Sequence, residues 1–242
     1  MIRQAVILAG GKGQRLYPLT KDIPKPMVPV NNIPFLSYLM FYLKTKGIKK
    51  ILILVGYKSK KIIEFYKNFK DLDISFSYSK VQSDTGRRLL EAKNNLENEF
   101  FLLYGDNFWI PNLTKMYKKF LIKKSMISTT VFNNKNGTAE YGFQNNVFVD
   151  GNSMVRKYDK TRKEKLLNGV DIGFFIVKKK FLNNFRLKKN YSFESDILTK
   201  AIKLKRLSAF RTDRQYYSIT NIKMLKKFQI IAKYKNLKYL KI

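Results

Sequence analysis

The segment LAGGKGQRLYPLT, Leu8 to Thr20, and the IPKPM that follows at Ile23–Met27 decide how this chain folds. An apolar run, Gln4–Ala9, leads into them, so a strand feeds a glycine-rich turn, the usual opening of an α/β unit. Gly10, Gly11 and Gly13 let the backbone approach a ligand closely and take φ > 0 at no steric cost. Arg15 and Lys25 add a planar fork and a point charge. The simplest guest is a polyphosphate wrapped by backbone N–H groups. The alternative is a plain strand-to-helix turn.

Downstream, the period switches repeatedly between short apolar runs and helical spacing. Strands are expected at Ile51–Val55, Asp73–Tyr78, Glu99–Tyr104, Met126–Phe132 and Val170–Val177. Helices are expected at Pro34–Lys46 (stopped by Gly47), from Ser59 as cap to Asn68, and at Thr85–Asn95, Asn112–Lys123 and Phe193–Leu204. Tyr141–Val149, an Asp150-Gly151 turn and Met154–Tyr158 read as an antiparallel hairpin. Strands at Leu207–Arg211 and Tyr216–Ile219 precede a basic amphipathic helix over about 221–242. The pattern is one α/β domain over 1–242, doubly wound in its first half (about 1–132) and mixed in its second (about 133–220). Right-handed crossovers bring the strand C-terminal ends to one edge, so the glycine turn and Asp106 can face one pocket.

Composition narrows the chemistry. The 242 residues are 45% hydrophobic, enough for a sizeable core. There is no cysteine, hence no disulfide or thiolate chemistry, which fits a reducing cytoplasm. There is no histidine, so an enzyme here works without imidazole. No apolar run reaches membrane-span length, and the N-terminus does not read as a signal peptide. The charge of +32 suits either a nucleic-acid or anionic-membrane contact, or a lysine-rich compositional bias. Scattered lysines favour bias and disfavour nucleic acid as partner. Residues 197–242 differ, with thirteen Lys/Arg against one acid, Asp213.

Two better-known phosphate loops are excluded. No Gly-x-x-x-x-Gly-Lys-Ser/Thr is present. A Gly-x-Gly-x-x-Gly fingerprint would need glycine where Leu16 stands, and an acid where the second strand ends in Gly56-Tyr57. What remains, LAGGKGQRLYPLT…IPKPMVPV…PFL, resembles the opening signature of the sugar-1-phosphate nucleotidyltransferase family. Tyr104-Gly105-Asp106-Asn107, Glu140-Tyr141-Gly142, Tyr158-Asp159-Lys160, Asn168-Gly169-Val170 and Tyr216-Tyr217-Ser218-Ile219 continue the match in order. KDIPKPMVPVNNIPFL and Ser192-Phe193-Glu194 look most like the short bacterial members that make GDP-heptose or GDP-mannose.

The resemblance implies a Rossmann-like nucleotidyltransferase fold, a mostly parallel mixed sheet, with no β-helix extension. It implies NMP transfer from an NTP to a sugar 1-phosphate, releasing pyrophosphate, for surface-glycan biosynthesis. Arg15, Lys25 and Asp106 would be catalytic, and Asp106 would hold Mg²⁺; standing alone, Asp106 reads equally as a turn-former. Leu8, Ala9, Gly10, Gly11, Gly13, Gln14, Gln82, Thr85 and Gly86 would bind the nucleotide. Gly142, Asp159, Lys160 and Asn168 would line the sugar-phosphate site, although Asp159 and Lys160 also fit a solvated turn. A phosphate monoester, with a second pKa of about 6, needs no general base, which suits a chain without histidine.

Three segments depart from the family pattern. Gln14 replaces a small or hydroxyl residue. Arg87-Arg88 follows Thr85-Gly86, which is expected to alter base recognition or reach an anionic group. Ser218 stands where the family carries a second metal-binding aspartate. A catalytically silent nucleotide sensor on the same fold, and nucleic-acid binding through the basic tail, are the rival readings.

Overall fold

The computed structural model describes residues 2–234. In chain order it opens with β1 Gln4–Leu8, β2 Pro29–Val30, β3 Ile33–Pro34, α1 Phe35–Thr45, β4 Lys50–Val55, α2 Ser59–Tyr66 and β5 Asp73–Tyr78. There follow α3 Thr85–Glu91, β6 Glu99–Tyr104, β7 Asn107–Phe108, α4 Leu113–Ile122 and β8 Ile127–Phe132. The last elements are β9 Val147–Val149, β10 Val155–Tyr158, β11 Val170–Lys178, α5 Thr199–Lys203, β12 Leu207–Thr212, β13 Tyr217–Ser218 and α6 Ile222–Tyr234. Residues 235–242, where the sequence predicts the rest of the basic helix, lie outside the described range.

Two compact units interleave along the chain. The first, the N-terminal unit, comprises 3–82, 103–108 and 217–234; the second comprises residue 2, 83–102 and 109–216. In the N-terminal unit β1 and β5 flank β4, both parallel to it. Every residue of β1 is buried, as are Ile51–Val55 of β4. Such continuous apolar runs belong to parallel strands covered on both faces. In the second unit β8 lies between β11, antiparallel, and β12, parallel. Three of these four pairings are parallel, so the fold is a mostly parallel, mixed α/β arrangement, as the sequence predicts.

Local differences have local causes. Lys58, with φ 48°, precedes α2 in the N-cap position, not Ser59. The expected helix over Phe193–Leu204 is broken: Phe193–Leu198 winds as a wider π turn before α5. Ser192 and Asp196 bind each other's loop there, Ser192 Oγ accepting from Ser195 N at 3.3 Å and Asp196 Oδ2 from Ser192 N at 2.8 Å. Side chains that bond the backbone locally compete with regular helix. The hairpin strand expected from Tyr141 is extended only over Val147–Val149.

The C-terminal helix buttresses the region that carries Asp106. Phe228 of α6 meets Phe35 at 5.1 Å, Tyr38 at 5.6 Å, Phe108 at 5.2 Å and Tyr217 at 6.1 Å between ring centroids. Edge-on aromatic pairs add about 0.5–1.5 kcal/mol each beyond burial. Phe108 and Tyr217 are themselves partners in the β7–β13 ladder. The short ribbon flanking Asp106 therefore rests on a packed aromatic floor.

Candidate active site

The N-terminal unit carries Leu8, Ala9, Gly10, Gly11, Gly13, Gln14, Arg15, Lys25, Gln82 and Asp106. The end of β1 is fixed from both sides. Leu8 O accepts from Gly105 N at 3.0 Å, and Ala9 N donates to Leu54 O at 3.0 Å. Gly10 O then accepts from Tyr57 N at 3.0 Å. Of the three loop glycines only Gly13 takes a positive φ, 66°. Its position leaves no room for a side chain: a Cβ there would sit 2.7 Å from Lys25 Cβ. The turn is thus moulded onto Lys25, and Thr20 Oγ1 holds it by donating to Gly13 O at 3.0 Å. A short 3₁₀ turn, Gln14–Leu16, follows; Gln14 and Arg15 are exposed while Leu16 is fully buried as its anchor.

Lys25 itself lies between two prolines at the start of a second 3₁₀ turn, Lys25–Met27. Proline fixes φ, so the lysine stem leaves a rigid backbone. Its Nζ donates to Asp106 Oδ2 at 2.5 Å, across 81 residues of sequence. The pair is a short charge-assisted bond in a half-buried setting. Ser218 lies beside it: β13 pairs Ser218 with Asn107, and Ile219 N donates to Asp106 O at 3.0 Å. The segment that lacks the second carboxylate therefore abuts the first. Asp213 is no substitute, since it accepts from Asn133 at 2.9 Å and pairs with Lys135, all in the second unit.

Among the described residues no three acidic, histidine or cysteine side chains cluster as a metal cage. Magnesium does not require one, since it takes one or two carboxylates and completes its shell with substrate phosphate oxygens and water. Asp106 fits that limited demand as its one carboxylate; Ser218 lies in the neighbouring strand, paired with Asn107.

The second unit carries Thr85, Gly86, Gly142, Asp159, Lys160 and Asn168. Asp84 caps α3 by accepting from Thr85 N at 2.7 Å. Thr85 Oγ1 accepts from Phe193 N at 2.8 Å and donates to Glu194 Oε2 at 3.1 Å. A Cβ on Gly86 would meet Tyr191 O at 2.9 Å, so glycine lets α3 press against the 191–194 segment. Arg87 does not reach out for an anion. Its Nε pairs with Glu91 at 2.7 Å, and its terminal nitrogen donates to the carbonyls of Leu187 and Lys189. Arg88 is buried. Arg87 is thus a staple of α3 rather than the outward cation its sequence suggests.

The remaining residues are held by loop structure. Gly142 has φ 60°, and its carbonyl accepts from the buried Asn134 at 2.9 Å. The Asp159 carboxylate accepts from Thr161 Oγ1 and from the backbone N–H groups of Thr161, Lys163 and Glu164, at 2.7–2.9 Å. The Thr161 hydroxyl, then those N–H groups, hold it well below the usual carboxylate range. Lys160 is exposed. The Asn168 amide bridges both backbone groups of Val149 at 2.9 Å and also accepts from Arg211 at 2.8 Å. Its side chain completes a strand edge.

A residue the sequence reading passed over stands out. Asp171, in β11, is buried and accepts from Thr129 Oγ1 at 2.7 Å, Gly173 N at 3.0 Å and Tyr158 OH at 3.1 Å. Burial pushes its carboxyl up to about 6, and the charge of Glu194 adds to that rise. An acid inside VDIGFFIV was the available signal, because a buried polar group demands partners.

The nucleotidyl transferase family model matches residues 4–219. The chain belongs to that family. Membership agrees with what LAGGKGQRLYPLT and IPKPM imply. A D-glycero-alpha-D-manno-heptose 1-phosphate guanylyltransferase of Campylobacter jejuni is 35% identical over 205 residues, 84% of this chain and 88% of that protein. The enzyme of the same description from Aneurinibacillus thermoaerophilus is 28% identical over 218 residues, 89% and 92% of the two chains. Among solved structures, HddC from Yersinia pseudotuberculosis complexed with GMP-PN superposes with a TM-score of 0.76 at 25% identity, covering 93% and 97% of the chains. This nucleotidyl transferase therefore shares sequence with two heptose 1-phosphate guanylyltransferases, and fold with HddC, over most of its length.

Proposed function

We propose that the protein transfers GMP from GTP to a heptose 1-phosphate, forming GDP-heptose and pyrophosphate. The observation that carries the reading is the Lys25–Asp106 pair at the foot of the glycine turn, in a chain similar to two heptose 1-phosphate guanylyltransferases. A phosphate oxygen of the acceptor forms a new bond to the α-phosphorus of GTP. The bond from that phosphorus to the bridging oxygen breaks, and pyrophosphate carries the electron pair away. The acceptor is already dianionic near neutrality, so no proton must be removed. The chain's work is to align two anions and offset their charge. The 10–13 backbone and Arg15 bind the triphosphate, and Lys25 places one cation at its inner phosphates. Asp159 and Lys160 belong to the acceptor side. Mg²⁺, held by Asp106 and substrate oxygens, would neutralise developing charge at the phosphates. The cytoplasm, where such a product would feed glycan assembly, is the proposed location.

The test is a pyrophosphate-release screen of four NTPs against a panel of sugar 1-phosphates. GTP with a manno-heptose 1-phosphate is expected to give the highest kcat/KM. A clear preference for another base or sugar overturns that assignment. A second reading, a nucleotide-binding protein without turnover, is favoured by Ser218; tight GTP binding with no turnover on any acceptor would establish it.

Ser218→Asp restores a carboxylate next to Asp106. It is expected to tighten Mg²⁺ several-fold, read by calorimetric titration of metal into the protein bound to a non-hydrolysable GTP analogue. An unchanged or weaker affinity in a folded variant would show that the Ser218 side chain does not face the metal.

A further inference from the structure

We propose that the outer face of α6 docks the protein on an anionic lipid bilayer. The helix is amphipathic in an unusual sense, because both of its faces have a job. Leu225, Phe228 and Ala232 are buried, with Phe228 set among Phe35, Tyr38, Phe108 and Tyr217. The opposite face exposes Lys223, Lys226, Lys227 and Lys233. Positions spaced three and four apart fall on one side of a helix, so these four ammonium groups form a single stripe. Two isoleucines lie in the same stripe, Ile222 at 42% and Ile230 at 57% exposure. They give the basic stripe two apolar side chains that reach solvent.

Charge and composition choose the occupant. No acid follows Asp213, so nothing in the helix offsets its lysines. The sequence beyond it, KNLKYLKI after Tyr234, continues the alternation of lysine with apolar residues. Clusters of four to eight basic residues on an amphipathic helix are attracted to anionic headgroups. Apolar residues among them add insertion at the acyl boundary. Reading or stacking nucleic-acid bases asks for more than lysine: arginine forks, amides at base edges, or aromatic platforms. The α6 stripe offers Lys and Ile. Lysine stems also snorkel, placing the ammonium at phosphate level while the methylenes stay in apolar surroundings.

Vesicle co-sedimentation of the full chain tests this, provided the general excess of positive charge is controlled. Three variants are needed: Lys223, Lys226, Lys227 and Lys233 all →Gln; Ile222→Ser with Ile230→Ser; and a charge-matched control with Lys60, Lys61, Lys67 and Lys70 all →Gln. The wild type is expected to bind phosphatidylglycerol-containing vesicles and to leave pure phosphatidylcholine vesicles unbound, with affinity falling as salt rises. The α6 lysine variant is expected to lose more than about tenfold in partition. The isoleucine variant, unchanged in charge, is expected to lose several-fold, and the control to stay within about twofold. Equal losses in the control and the α6 variant would overturn the proposal, since net charge alone would then suffice. Full binding by the isoleucine variant, together with α6-dependent binding of duplex DNA, would transfer the surface to nucleic acid. Circular dichroism confirms that each variant is folded.

Discussion

Lys25→Ala is expected to lower kcat/KM for pyrophosphate release by about 10²–10³-fold, the scale seen when one preorganised charge is removed from a transition state. The structure gives the reason for so large an effect. Lys25 is 8% exposed, its backbone is braced by Pro24 and Pro26, and its Cβ fills the space that Gly13 leaves empty. The ammonium is therefore placed before substrate arrives, with Asp106 as its counter-ion at 2.5 Å. A cation held in this way costs little reorganisation when the triphosphate enters. Lys25→Arg is expected to recover little. The guanidinium is wider and planar, and the stem has no freedom to retreat against Gly13. Asp106→Ala is expected to be as damaging, and the double variant distinguishes two roles for the lysine. If Lys25 only positions Asp106, the double variant matches Asp106→Ala. If each acts on substrate, the losses combine, with the shortfall from additivity measuring their coupling. Thermal unfolding runs beside the kinetics, because Lys25 is buried and the loss of activity must be separated from any loss of stability. A Lys25→Ala enzyme within threefold of wild type would remove this lysine from the site.

How far these groups were legible depends on where their information lies. The strand–turn opening was readable because β1 and β4 are continuous apolar runs and the loop breaks them with glycine. Strand-end topology brought Asp106 toward the glycine turn, but the Lys25–Asp106 pair itself was not readable. Nothing local in IPKPM or YGDN says that they meet 81 residues apart. Arg87 and Arg88 were read as outward cations, since a sequence does not show that carbonyls of Leu187 and Lys189 wait for the first and burial for the second. Asn168 illustrates the same limit from the other side. Its amide does the work of a strand edge on Val149, a pairing set by tertiary structure. The break at Phe193–Leu198 came from Ser192 and Asp196 bonding backbone locally, a competition that helical periodicity does not register.

Asp171 was hidden by its own strand, and it supplies the second large prediction. Its folded-state carboxyl titrates at about 6, against an ordinary value of 3.8. Burial is the main cause, with Glu194 adding repulsion, while Gly173 N, Thr129 and Tyr158 pull the other way without prevailing. Tyr158 records the same field: burial, then the charges of Asp171 and Glu194, raise its phenol well above 10. The sign follows directly. Between about pH 4 and 6 the folded protein keeps a proton that the unfolded chain has released, so this group makes stability fall as pH rises through that window. Above pH 6 both states are ionised there, and the full cost of about 3 kcal/mol applies. Asp171→Asn keeps an acceptor for Thr129 and Gly173 but has no charge to bury. Relative to wild type, its unfolding free energy is expected to gain about 3 kcal/mol between pH 4 and pH 7, read from urea transitions at steps across that range. Glu194→Gln should shift the wild-type transition window downward, because the repelling neighbour is gone. A wild-type-minus-variant difference that stays flat with pH would mean that Asp171 ionises normally and that its hydroxyl and N–H donors fully offset the burial.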